Sequence, residues 1–115
     1  MPLRLLFLGG RRSLKKKNAV ARHVPDLRRR LDLDFVVANG ENAAHGFGIT
    51  ERTARDLYEA GVDCITTGNH VWDQREILGT IDADPRLLRP LNFPRGTPGR
   101  GIGVFTVAKR RIVVV

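Results

Sequence analysis

Three short apolar runs alternate with stretches of helical periodicity, and this alternation constrains the fold more than any other feature of the chain. The runs occupy residues 3–8, interrupted only by Arg4, residues 34–38 (Asp-Phe-Val-Val-Ala) and residues 62–67. Near-continuous apolar runs of this length suit strands covered on both faces. Gly9-Gly10 ends the first. Residues 18–31 then place Val20, Val24, Leu27 and Leu31 at spacings of four, three and four, which predicts a helix. Pro25 inside that pattern either kinks the helix or marks its true first turn. Residues 40–48 form a loop with three glycines. Thr50 is a suitable N-cap with Glu51 in the first turn, Ala54, Leu57 and Tyr58 share one side of the following helix, and Gly61 supplies its left-handed stop. After the third run, Asp73 can cap a short helix reaching Ile81. Leu87-Leu88 starts another strand, residues 95–103 form an irregular loop, and residues 102–107 and 112–115 flank a hairpin turn at 108–111. Strand and helix in alternation define an α/β layer with parallel strands.

Length and charge set further bounds. A chain of 115 residues with 42% hydrophobic residues holds one small domain with a modest core. No apolar run approaches the roughly 20 residues of a membrane span, and the basic residues follow the first apolar run, opposite to a signal peptide. One cysteine, Cys64, excludes an internal disulfide and fits a reducing cytoplasm; mid-strand, it reads as a buried thiol. The net charge of +8 resides wholly in residues 11–30, which hold nine Lys or Arg and one Asp. That segment is either an RNA or other polyanion contact or a solvated loop and helix face; residues 11–17 lack the interleaved aromatics of a base-stacking surface. Nothing in the composition opposes self-association into a homo-oligomer.

Right-handed crossovers place the loops after all three strands on one sheet edge, where ligands of open α/β sheets bind. Gly10, Glu41 with Asn42, and Asn69 with His70 therefore converge. A carboxylate, neutral amide oxygens and an imidazole are ligands for divalent cations, and the imidazole can also move a proton. Two cations about 3.5–4 Å apart can clamp a phosphoryl group and activate water. Taken singly, Asn69-His70 is an ordinary turn and Glu41 a solvated loop carboxylate; their closing of neighbouring strands on one edge is what favours chemistry. No phosphate-cradling Gly-x-x-x-x-Gly-Lys-Ser/Thr occurs, nor a Gly-x-Gly-x-x-Gly after the first strand. His45, in the glycine loop, is a candidate substrate contact. His23, in the basic helix, is expected to be exposed.

Three segments carry a resemblance: Val37-Ala38-Asn39-Gly40-Glu41-Asn42-Ala43-Ala44-His45-Gly46, Thr66-Thr67-Gly68-Asn69-His70-Val71-Trp72-Asp73, and Arg89-Pro90-Leu91-Asn92-Phe93-Pro94. With the Gly-Thr-Pro-Gly-Arg-Gly stretch at 96–101, they resemble YmdB-type metallophosphoesterases over about residues 18–115 plus the first strand. The resemblance implies an α/β metallophosphoesterase αββα sandwich, here its N-terminal part: a parallel βαβαβα unit followed by a hairpin. It implies hydrolysis of 2′,3′-cyclic nucleotides by a hydroxide on two divalent metal ions, iron or manganese. Residue by residue, Glu41 corresponds to a bridging metal ligand, Asn42 to an amide at the metal site, Asn69 to a ligand of the second metal and His70 to the general acid.

The sequence departs from that family twice. The family's first strand ends in Gly-Asp, whose aspartate binds a metal; here Gly9-Gly10 stands instead. The basic residues 11–17 that follow are atypical, yet the spacing is intact when the resemblance resumes at Asn18, a pattern that two compensating reading-frame changes would produce. Family members are also considerably longer, with three further metal-binding histidines in their later half. The chain is thus expected to be one incomplete domain over 1–115, with weak metal binding and little turnover. The alternatives are a non-catalytic RNA-binding module and a degenerate gene product.

Overall fold

Strands β1 (Leu5–Leu8), β2 (Phe35–Asn39), β3 (Cys64–Thr66) and β4 (Leu87–Leu88) form one parallel sheet in the order β1-β2-β3-β4. The computed structural model describes residues 2–9, 17–44 and 46–115, with the backbone alone for 17–19. Residues 10–16, which include Gly10 and most of the atypical basic segment, and His45 lie outside the described residues. The in-register pairs Leu5 with Phe35 and Phe7 with Val37 put alternate side chains of β1 and β2 on common faces.

One face of the sheet packs against α1 (Lys17–Arg30) and α2 (Glu51–Glu59). Val20 and Val24 of α1 and Ala54 and Leu57 of α2 are buried there with Val36, Ala38, Ile65 and Leu87 of the strands. Pro25 sits inside α1, which begins at Lys17, so it marks no first turn. Its missing N–H would have reached the carbonyl of Ala21; that residue is exposed, so water can take the acceptor. Helix α2 starts as expected at Thr50, through a reciprocal box. Thr50 Oγ1 accepts from the Thr53 N–H at 3.0 Å and Thr53 Oγ1 accepts from the Thr50 N–H at 2.8 Å. Gly61, at φ +110°, ends the helix.

The other face carries Phe35, Cys64 and Leu88. It is covered by the hairpin of β5 (Gly103–Val107) and β6 (Arg110–Val114), through Phe105, Val107, Ile112 and Val114. Phe35 and Phe105 meet with ring centroids 5.0 Å apart. The parallel unit, its helices and this second small sheet give the expected α/β architecture.

Four expectations are corrected. The first strand is not covered on both faces among the described residues: Leu5 and Phe7 are 57% and 63% exposed, because β1 is an edge strand and the hairpin reaches only part of its neighbours. The helix after the third strand is instead two 3-10 segments, Arg75–Gly79 and Ile81–Ala83, separated by Thr80. Asp73 does not cap the first of them; the N-cap is Gln74, with no side-chain bond, because the Asp73 carboxylate is engaged by His70. The hairpin turn is also tighter than expected. Val107 pairs with Arg110, leaving a two-residue loop in which Ala108 and Lys109 both have left-handed φ, 49° and 65°.

Asp63 joins the layers. Its Oδ2 accepts from the Val36 N–H at 2.8 Å and from the Arg28 guanidinium. Arg86 donates to the Asp63 and Val62 carbonyls at 2.9 and 2.7 Å, linking the approach to β4 with the approach to β3. Among the described residues no helix is long and apolar enough to cross a membrane.

Candidate metal and phosphoester site

The loops after β2 and β3 leave the same edge of the sheet because the strands are parallel and paired, Asn39 standing opposite Thr66. The Gly40 N–H donates to the Thr66 carbonyl at 2.8 Å, carrying the pairing one residue beyond β2. Gly40 is obligatory for packing: a Cβ there would stand 2.7 Å from Ile65 Cγ2 and 3.0 Å from Ile49 Cδ1. Asn39 Oδ1 then accepts from the Glu41 N–H at 3.2 Å, turning the chain so that the next side chain faces the β3 loop.

Glu41 is the centre of the arrangement. Its carboxylate lies against Gly68: a Cβ built on Gly68 would overlap Oε2 and stand 2.8 Å from Cδ and 3.0 Å from Oε1. Glu41 Oε2 is buried and has no hydrogen-bond partner among the described residues. A buried carboxylate oxygen is costly unless a partner beyond the described residues satisfies it. A hard cation is the chemical match.

The second loop is fixed to the first at several points. Gly48 has φ +71°, and a Cβ there would stand 3.0 Å from both the His70 carbonyl oxygen and the Gln74 nitrogen. The Gln74 side-chain amide donates to the Phe47 carbonyl at 2.9 Å. Within the turn, the Val71 N–H reaches the Gly68 carbonyl at 3.1 Å and the Asp73 N–H reaches the His70 carbonyl at 3.0 Å. Thr67 Oγ1 donates to the Leu88 carbonyl at 2.6 Å, fixing the end of β3 to β4. His70 Nδ1 lies 2.8 Å from Asp73 Oδ2.

Of the expected site residues, Glu41 and the Gly68-Asn69-His70 turn are brought together. Asn42 is half-buried and Asn69 exposed, and among the described residues no hydrogen bond engages either side-chain amide, leaving both oxygens available. His45 lies outside the described residues. His23 is exposed as expected. Sequence reasoning missed Gly48, Asp73 and Gln74 as supports of the site. Only Asp73 carried a usable signal, a carboxylate three residues after a histidine in a predicted turn.

Ionisable groups away from this edge serve structure. Burial pushes the Cys64 thiol up to about 12, against a smaller opposing effect of Arg86. Burial, then the hydrogen bond to Asp84 at 2.7 Å, pushes the Tyr58 phenol well above its usual range. On α1, Arg29 and Arg30 pair with Asp26, and Arg28 with Asp63, so three arginines of the basic segment already have carboxylate partners.

A parallel α/β sheet with a second sheet on one face, and a carboxylate, amides and a histidine at its carboxyl edge, defines a metallophosphoesterase fold. The chain belongs to the YmdB-like protein family, whose sequence model matches residues 6–115. It is 42% identical over 113 residues to the 2′,3′-cyclic-nucleotide 2′-phosphodiesterase of Bacillus subtilis (strain 168), spanning 98% of this chain and 43% of that protein. A hypothetical protein from Thermus thermophilus, of known crystal structure, superposes with a TM-score of 0.87 at 42% identity, over 96% of this chain and 43% of the other. The crystal structure of a novel phosphatase of Mycoplasma pneumoniae superposes with a TM-score of 0.84 at 32% identity, over 96% of this chain and 41% of the other. The chain thus spans less than half the length of these relatives.

Proposed function

We propose that this chain carries one part of a metal-dependent phosphodiesterase site and that the reaction served is hydrolysis of 2′,3′-cyclic nucleotides. The observation that carries this reading is the buried Oε2 of Glu41, pressed against Gly68 and without a hydrogen-bond partner among the described residues. The name of the Bacillus subtilis relative supports the choice of substrate.

In this reading Glu41, Asn42 and Asn69 hold two divalent cations, with iron or manganese the expected ions. Carboxylate and amide oxygens are suitable hard ligands, and the amides bind without cancelling the cation's charge. When bound, the metals supply charge neutralisation at the phosphoryl oxygens and an activated water. The protein's own contribution is positional. Gly68 leaves room for the carboxylate, Asn39 orients the Glu41 backbone, and the Gly48–Gln74 contacts hold the turn that bears His70. His70 protonates the leaving oxygen.

For these 115 residues by themselves we propose one incomplete domain, weak metal binding and little turnover. A glycine stands at position 10 where the family places an aspartate ligand, and the chain spans 43% of the Bacillus subtilis relative. The test is a manganese titration followed by NMR, since paramagnetic broadening registers weak sites. Broadening concentrated at residues 40–42 and 68–70 and abolished by Glu41→Gln is the expected result. Uniform broadening, or broadening unaffected by Glu41→Gln, refutes the site. Robust hydrolysis of 2′,3′-cyclic AMP by the purified chain with manganese refutes the proposal of little turnover.

A further inference from the structure

The turn after β3 contains one contact that the functional reading does not use. Asp73 Oδ2 and His70 Nδ1 are 2.8 Å apart, and both side chains are partly open to solvent, at 36% and 44%. An exposed pair of this kind is ordinarily worth little, because water competes and two side chains must be ordered. Here the ordering is largely done by the backbone. The Asp73 N–H donates to the His70 carbonyl at 3.0 Å, so one turn fixes both residues. Gly48 backs that turn closely: a Cβ there would stand 3.0 Å from the His70 carbonyl oxygen and 3.1 Å from Asp73 Cβ. Gln74, the next residue, is tied to the Phe47 carbonyl at 2.9 Å. A capping role, the ordinary use of an aspartate before a helical segment, is not what the carboxylate does; the cap of the 3-10 segment is Gln74.

The chemistry of the contact is one-sided. An ionised carboxylate only accepts, so the ring nitrogen facing it must carry hydrogen in the neutral and the cationic imidazole alike. That leaves Nε2 as the one atom able to exchange a proton. We propose that Asp73 is a positioning residue that holds His70 with hydrogen on Nδ1 and thereby assigns proton transfer to Nε2. This rests on the reading of the edge as a phosphodiesterase site. In that reaction a water oxygen forms the new bond to phosphorus and gives up one proton to solvent, the bond to the leaving oxygen breaks with its electron pair, and that oxygen takes the proton from Nε2. His70 is left neutral, with Nδ1–H still donated to Asp73. Without the carboxylate either nitrogen could carry the hydrogen, and part of the population would present the wrong atom.

The experiment is long-range 1H–15N NMR of histidine-labelled 115-residue chain at a pH above the imidazole titration, with His70→Gln used to assign the signals. The expected wild-type pattern is a protonated Nδ1 and an unprotonated Nε2 at His70. Asp73→Asn keeps the shape of the side chain, but its amide can donate as well as accept. It should reduce the Nδ1–H form from the dominant species to a minority, as the corresponding substitution does in serine-protease triads. A merely structural role predicts no change, because the isosteric amide preserves the turn; unchanged Gly48 and Gln74 amide shifts would verify that. Wild-type hydrogen on Nε2, or an unchanged tautomer in Asp73→Asn, overturns the proposal. Neither readout needs metal or turnover, so failure here is separable from failure of the manganese titration.

Discussion

Substituting alanine for Gly68 separates the needs of the fold from those of the site. The Gly68 backbone has no left-handed φ, so alanine can adopt it without strain. The added methyl would stand 2.8 Å from Glu41 Cδ, where ordinary contact begins near 3.4 Å. The carboxyl group must therefore retreat by at least about 0.6 Å at Cδ and by more at Oε2, which the methyl would overlap, already beyond the roughly 0.5 Å tolerance within which a binding constellation works. Glu41 is flexible at its far end, so the retreat is cheap. Oε2 has no hydrogen-bond partner among the described residues to lose, and alanine also restricts the unfolded chain. Stability should stay level or rise by up to about 1 kcal/mol, while manganese affinity falls at least tenfold, about 1.4 kcal/mol. Thermal melting and the manganese titration of the same sample read the two effects. A Gly68→Ala protein that binds manganese like wild type would refute the reasoning, because the carboxylate position would then be irrelevant. A protein that loses binding only because it unfolds would refute it too.

Other substitutions probe the frame. Thr53→Ala removes half of the reciprocal cap of α2 and should cost about 1 kcal/mol, lowering the melting temperature by several degrees. Replacing Ala108-Lys109 with Asn-Gly, at φ 49° and 65°, should stabilise the hairpin by about 1 kcal/mol, since those residues accept left-handed backbone; a lower melting temperature would contradict the turn geometry. Cys64, raised from 9.0 to about 12, keeps its proton longer in the folded chain than in the unfolded one. Its contribution to stability is full below pH 9 and is lost as pH rises through about 12, with a slope of at most about 1.4 kcal/mol per pH unit. Cys64→Ala should flatten that alkaline slope in denaturant titrations. Leu5→Thr with Phe7→Thr, on the exposed face of the edge strand, should reduce aggregation seen by light scattering without lowering the melting temperature.

Much of the architecture is legible because its signals are local. The spacing of Val20 and Val24, the Thr50 cap, the Gly61 stop and the apolar run at Phe35-Val36-Val37-Ala38 each depend on residues a few positions apart. The segments around Glu41 and His70 are long enough to indicate the family. Misreadings arise where a neighbour distant in sequence decides the outcome. Leu3 to Leu8 reads as a doubly covered strand, yet whether a second layer lies over Leu5 and Phe7 depends on how far the hairpin reaches. Thr53 escapes notice because an N3 threonine is a less familiar partner than glutamate. The turn at Ala108-Lys109 reads as wider than it is because neither residue advertises left-handed backbone.

The candidate site divides along the same line. The placement of Glu41, Asn42, Asn69 and His70 in the loops after β2 and β3 follows from the order of elements along the chain, because parallel strands with right-handed crossovers leave no other edge for them. That Glu41 Oε2 is buried against Gly68 without a partner among the described residues, and that Asp73 faces His70 rather than a helix end, emerges from the folded arrangement alone. A hydrophobic period fixes which face of an element turns inward. The partner of a loop carboxylate is fixed by where a second, independently folded loop crosses it, and in this chain that crossing depends on the missing Cβ atoms of Gly48 and Gly68.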